Sequence, residues 1–173
     1  AMGHDRCVLP PEIRPLDPTR KLAGEIYTFS GYIDQTAGAH ETLVAWTGVL
    51  SKAPAGKVLV CQPNTYAVAL MGELSAETLK FKGVRGYVVD GRCRDTEFIL
   101  AQGFRVFCNL NTPADIVARW LPDRFAQPIT IGNVTICTGD YLLADRDGVV
   151  IIPGKIAAEV VTRTEQVLQT ENK

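Results

Sequence analysis

The chain predicts an α/β fold with layered helices and a mixed central sheet, and three features carry that prediction. Strand-like and helix-like apolar patterns alternate from "GEIYTFSG" to "FRVFCN". A β-rich stretch with turn signals follows, and an amphipathic helix pattern closes the chain. The alternating units give parallel strands, whereas the hairpin signals add antiparallel ones, so a purely parallel doubly wound sheet is disfavoured.

Each element has a local reason. After an irregular start containing Pro10, Pro11, Pro15 and Pro18, "GEIYTFSG" reads as a strand. "HETLVAWTGVLSKA" places Leu43, Trp46, Val49 and Leu50 at helical spacing, and Pro54 closes it. "KVLVCQP" is a short buried strand. "AVALMGELSAETLKFKG" reads as a helix ending at Gly83, interrupted by Gly72. A glycine inside a helix costs ~1 kcal/mol against alanine, so Gly72 needs a packing or binding reason. "GYVVDG" is a strand, "DTEFILAQG" a short helix with a glycine stop, and "FRVFCN" another strand. In "PITIGNVTICTGDYLLADRDGVVIIP", Gly132-Asn133, Gly139-Asp140 and Asp147-Gly148 break β patterns into hairpins. "GKIAAEVVTRTEQVLQTENK", apolar at Ile156, Val160, Val167 and Leu168, is the closing helix.

Composition narrows the function classes. The 173 residues are 46% hydrophobic and 21% charged, which suits one domain over 1–173 with a substantial core. Eighteen basic and 19 acidic side chains give a net charge of −1, and no basic block suggests a nucleic-acid partner. Apolar runs such as "GVVIIP" fall far below the ~18 residues of a membrane span, and no signal-peptide core is visible. Five cysteines without a C-x-x-C pair fit a reducing, cytoplasmic setting and no disulfide framework. With only His4 and His40, a histidine-rich zinc site or a Ser-His-Asp triad is poorly supplied.

"GVRGYVVDGRCRDTEFIL" is the unusual stretch, because a core-type strand ends in Asp90, Arg92, Arg94 and Asp95. On its own, Asp95 reads as the N-cap of the following helix. Ligands of open α/β sheets, however, gather beyond the carboxyl ends of strands. Glu73 precedes Arg94 by twenty intervening residues of helix, turn and strand, a route that can return it beside that strand end. Carboxylates without histidine or thiolate suit a hard cation, Mg²⁺ or Mn²⁺, while an arginine offers a fixed fork to an anionic group.

These motifs, with "TGDYLLADRDGVVIIP" further on, resemble the RraA-like family, which includes the class II 4-hydroxy-4-methyl-2-oxoglutarate aldolases. The resemblance runs from about Gly24 to the C-terminus. It implies a swivelling β/β/α domain, similar to phosphohistidine domains, assembled as a homotrimer or hexamer with sites between subunits. It also implies that an N-terminal helix found in members is missing from this chain. By resemblance, Asp95 anchors the divalent ion and Glu73 holds its water shell. Arg94 binds the keto oxygen of a small 2-oxo dicarboxylic acid. The amides of Leu74 and Ser75, after Gly72, receive the substrate carboxylate; Ser75 stands where members more often have a second leucine. The implied reaction is cleavage of a 4-hydroxy-2-oxo acid to pyruvate and a second oxo acid, with oxaloacetate decarboxylation through the same enolate. The alternative is a non-catalytic protein-binding regulator of ribonuclease E, although such namesakes tend to lack the aspartate after the arginine. Methyl transfer to a menaquinone precursor finds no glycine-rich nucleotide loop.

Other conspicuous residues have plainer readings. Asp140, Asp145, Asp147 and Gly148 suit turns, and Trp46 and Trp120 suit packing. Asp90 shapes the turn and is available to orient Arg94. Arg119, His40, Lys80 and Lys82 read as surface groups, and Cys93 as a bystander thiol.

Overall fold

In the computed structural model, which describes residues 3–171, four parallel strands form the centre of one twisted sheet. They are β2 (Leu22–Ile33), β3 (Val58–Gln62), β4 (Gly86–Val89) and β6 (Val106–Cys108). Preceding them, β1 (Arg14–Pro15) pairs antiparallel with β6 at one edge. Helix α1 (Ala39–Lys52) connects β2 to β3, and α2 (Glu73–Phe81) connects β3 to β4. Short β5 (Arg92–Cys93) and α3 (Thr96–Gln102) lead from β4 into β6, and β5 pairs with β7 (Leu110–Asn111) just beyond it.

The second half supplies antiparallel strands, as the turn signals predict. These are β8 (Trp120–Phe125), the hairpin β9 (Ile129–Ile131) and β10 (Val134–Ile136), and the hairpin β11 (Tyr141–Asp145) and β12 (Gly148–Ile152). One side of the twelve-residue β2 is shared, its first half pairing with β11 and its second half with β8. Beyond β12, backbone bonds from Leu9 N–H to the Val149 carbonyl and from Ile151 N–H to the Cys7 carbonyl draw the far edges together. The mixed sheet is therefore nearly closed.

Two cores explain why the central strands read as continuous apolar runs. Val58, Val60 and Val88 face inward with Ile26, Phe107, Ile131 and Ile151. Their neighbours Leu59, Cys61, Tyr87 and Val89 face the helices, packing with Phe29, Trp46, Leu79 and Trp120. Successive side chains alternate across a strand, and both faces here meet apolar neighbours. Helix α3 ends at Gly103, whose φ of 68° is the left-handed stop that glycine favours. After a short 3₁₀ turn at Gly154–Ile156, α4 (Ala157–Glu171) closes the chain with none of its residues buried. No described helix is long and apolar enough to cross a membrane.

Two sequence expectations need correction, and one strand had gone unassigned. The helix predicted across 67–83 begins only at Glu73. The residues before it form bends around one isolated bridge at Ala69, because tertiary pairing overrides helix propensity: Ala69 N–H donates to the Ala114 carbonyl and Leu70 N–H to the Arg92 carbonyl. Strand β8 carries Pro122 and showed no clean alternation, yet it pairs along β2 with a register shift beside Gly31. Asp90 is not a partner of Arg94; its Oδ1 accepts from the Tyr66 hydroxyl at 2.7 Å. That bond, with burial, pushes the Tyr66 phenol up to about 12.

Candidate functional site

The cluster around Arg94 forms where two chain segments zip together at the carboxyl end of β4. Leu70 N–H donates to the Arg92 carbonyl at 2.8 Å, and Arg94 N–H donates to the Met71 carbonyl at 2.9 Å. These bonds bring Gly72, the residue ahead of α2, against Arg94 and Asp95. A Cβ built on Gly72 would stand 2.7 Å from Asp95 Oδ2 and 3.1 Å from Arg94 Nε. The glycine that looked costly inside a helix is thus a spacer at its start, with ordinary extended dihedrals.

Asp95 occupies the first position before α3 but does not cap it with its side chain, and its φ of 53° is left-handed. Instead, Oδ2 accepts the Glu73 N–H at 3.1 Å, so the carboxylate satisfies an amide of the neighbouring α2. The simple capping reading therefore applies to the wrong helix. A non-glycine residue held in the left-handed region beside a cleft marks backbone that tertiary structure has fixed.

Arg94 is clamped from two sides. Its Nη1 lies 2.9 Å from Asp115 Oδ2, and its Nε lies 3.5 Å from Asp95 Oδ2. All three side chains are between 37% and 39% exposed, so the cluster faces solvent without being dissolved in it. Asp115 was missed by sequence reasoning because "NTPADIVARW" has no periodicity; an unassigned acid next to buried Ile116 was its only signal.

A cavity of about 290 Å³ opens beside the cluster. Arg94, Asp115 and Gly72 form its polar end, while Leu43, Leu50 and Ile116 help form an apolar wall. Trp46 and Ser75 also line it, and Trp46 Nε1 donates to Ser75 Oγ at 2.9 Å. Ser75 therefore anchors an indole on the cavity wall. At the start of α2, the amides of Leu74 and Ser75 belong to the first turn, where N–H groups lack intrahelical partners and favour anions.

The sequence-predicted residues converge unequally. Arg94, Asp95, Gly72, Leu74 and Ser75 lie together, but Glu73 meets Asp95 through its backbone amide. Its carboxylate makes no ion pair among the described residues, nor does Glu73 line the cavity. No group of three or more His, Cys, Asp or Glu among the described residues is arranged to hold a metal ion. The donors are nonetheless chemically suited to a hydrated hard cation, which uses one or two carboxylates and keeps several waters. Asp95 and Glu73 supply only oxygen, and Asp95 Oδ1 accepts no protein hydrogen bond among the described residues.

Thiol chemistry is not favoured. Cys93 and Cys61 are fully buried, and burial raises both thiols away from the nucleophilic form. Asp140 does serve its turn, accepting from the amides of Cys137 and Gly154.

Gly72→Ala gives a direct test of the spacer. The added methyl must displace the Asp95 carboxylate, so binding of any anionic ligand beside Arg94 should weaken by about tenfold or more while thermal stability falls by only ~1–2 kcal/mol. Calorimetric titration and thermal unfolding read the two effects separately.

Comparison with known proteins finds relatives along most of the chain. The family model described as RraA-like, Aldolase/RraA, matches residues 1–151. DlpA of Legionella pneumophila is 30% identical over 162 residues, covering 93% of this chain and 26% of its own length. A Halalkalibacterium halodurans protein, named provisionally as a 4-hydroxy-4-methyl-2-oxoglutarate aldolase, is 26% identical over 141 residues. That match covers 82% of this chain and 64% of the relative. Among solved structures, Streptomyces coelicolor RraAS2 superposes with a TM-score of 0.86 at 28% identity, covering 99% of this chain and 85% of that one. It is described as an unusual member of the RNase ES inhibitor RraA protein family.

Proposed function

This chain belongs to the RraA-like family, and from that premise we propose that it is a divalent-metal-dependent carbon–carbon lyase acting on 4-hydroxy-2-oxo acids. The observation that carries the reading is the clamped Arg94, held by Asp115 and Asp95 beside the amino end of α2. A guanidinium fixed in this way presents donors at a set place, which suits an oxygen that gains charge during reaction.

In the proposed reaction, Leu74 and Ser75 amides receive the substrate carboxylate and Arg94 donates to the 2-keto oxygen. Breaking the C3–C4 bond sends its electron pair toward that oxygen, giving the pyruvate enolate, while the 4-hydroxyl proton leaves to a base. Protonation at C3 then completes pyruvate, and the other fragment departs as an oxo acid. Loss of CO₂ from oxaloacetate generates the same enolate, so one arrangement serves both reactions. Asp95, assisted by Glu73, would hold Mg²⁺ or Mn²⁺, which supplies Lewis-acid stabilisation of developing negative charge. Asp115 acts through Arg94 as a positioning residue, and the apolar wall receives hydrocarbon parts of the substrate.

The test is a screen of 4-hydroxy-2-oxo acids and oxaloacetate with added Mg²⁺ or Mn²⁺, coupled to pyruvate detection. Metal-dependent pyruvate release from at least one supports the lyase, and none from any of them defeats it. The likeness to RraAS2 favours a second reading, a protein-binding regulator of a ribonuclease. Saturable binding to ribonuclease E with no turnover would put that reading first.

A further inference from the structure

The end of the sheet opposite Arg94 carries a row of cations that the lyase reading does not use. Each of the four parallel strands is immediately preceded by one: Lys21 before β2, Lys57 before β3, Arg85 before β4 and Arg105 before β6. The register keeps three of them adjacent. Arg85 N–H donates to the Lys57 carbonyl at 2.8 Å, and Tyr87 N–H donates to the Arg105 carbonyl at 2.9 Å.

A cleft of about 380 Å³ opens over this row, lined by Lys21, Lys80, Arg85 and Arg105 without any aspartate or glutamate. The Arg20 guanidinium borders it, 3.5 Å from where a Cβ on Gly103 would stand. Nearby acids are committed elsewhere, Glu25 to Lys57 and Asp17 to Arg20 at 3.5 Å. Helices α2 and α3 end here, and their carbonyl ends carry partial negative charge. Lys80 answers the second of them, donating to the Gln102 carbonyl at 2.6 Å. Lys21, Arg85 and Arg105 remain with no carboxylate partner among the described residues. In a chain of net charge −1, three converging cations without a counter-charge are an unbalanced local field.

We propose that this cleft is a binding site for a small polyanion carrying two or more phosphoryl groups. Arg85 and Arg105 bring planar forks suited to phosphate oxygens, and Lys21 adds a mobile point charge. The chemistry would be shared by a free diphosphate and by the diphosphate of a nucleotide.

Calorimetric titration of the metal-free protein with inorganic pyrophosphate, orthophosphate and ADP tests the proposal. Saturable one-to-one binding of pyrophosphate is expected, tighter than orthophosphate and weakened as salt rises from about 0.05 M to about 0.3 M. Arg105→Ala and the exposed Lys21→Ala should each weaken it by about fivefold to tenfold, whereas Arg94→Ala should leave it unchanged. Arg85→Lys keeps the charge but loses the fork, so it should weaken binding less than Arg105→Ala does, and an unchanged thermal midpoint in each variant controls for folding. Equal affinity for ADP and pyrophosphate assigns the site to the diphosphate group alone; tighter ADP binding adds the nucleoside. Absence of saturation, binding insensitive to both Arg105→Ala and Lys21→Ala, or binding lost in Arg94→Ala overturns the proposal.

Discussion

Asp95→Asn should reduce metal-dependent pyruvate release by about a thousandfold or more, equivalent to ~4 kcal/mol of transition-state stabilisation, while the thermal midpoint stays nearly unchanged. The substitution separates two jobs that one carboxylate performs. Oδ2 accepts the Glu73 N–H at 3.1 Å, and asparagine accepts such a bond almost as well as aspartate. An amide cannot, however, replace the negative charge that would hold a divalent cation or balance the Arg94 guanidinium. Asp95→Ala removes both jobs and should also cost roughly 1 kcal/mol of stability, the usual scale for losing a helix cap. Arg94→Lys should lose nearly as much activity as Asp95→Asn, because a lysine cannot span Asp115 and Asp95 together while donating to substrate. The measurement is initial rate of pyruvate formation at saturating metal, alongside thermal unfolding. Full activity in Asp95→Asn would reduce Asp95 to a cap of α2 and remove the basis for placing the cation there.

The parts of this site that sequence reading reached are those with a local or spacing signature. The charged exit from "GYVVDG" was visible because a core strand rarely ends in four charges, and the spacing from Glu73 to Arg94 located the second segment. Gly72 was visible as a cost, yet its reason is the Asp95 carboxylate 2.7 Å from its missing Cβ, a fact of tertiary geometry. Likewise, Asp95 precedes α3 in sequence but bonds to α2 in space, since the chain reverses between them. Asp115 was visible only as an unassigned acid, for its segment has no period and its role exists only once Arg94 lies beside it.

The fold divides along the same line. Parallel strands buried on both faces announce themselves as apolar runs, and the β9–β10 and β11–β12 hairpins by their turns. Strand β8 is half-exposed, contains Pro122, and is specified by what it packs against, so no pattern within it suffices.

Trp120→Ala should be the most destabilising of these single substitutions, by about 3–5 kcal/mol, and should lower the thermal midpoint by roughly 10 °C. Trp120 opens β8 and is fully buried, with Nε1 donating to the Pro63 carbonyl at 2.9 Å. Its ring lies so close to Gly31 of β2 that no Cβ fits there, which explains a glycine at the register shift. Truncation would leave a void between β2 and β8, an unpaired Pro63 carbonyl, and Trp46 without its edge-on neighbour at 6.0 Å. Trp46 lines the cavity and binds Ser75, so the loosened indole should also weaken substrate binding before the protein unfolds. Trp120→Phe retains most of the ring volume and should cost only ~1–2 kcal/mol, mainly through the lost N–H bond. Since total stability of such a fold is of order 5–15 kcal/mol, the alanine variant should sit near the edge of folding at physiological temperature. A midpoint shift below about 2 °C in thermal unfolding of Trp120→Ala would mean that β8 is held by other contacts and that Trp120 does not link the sheet to the site.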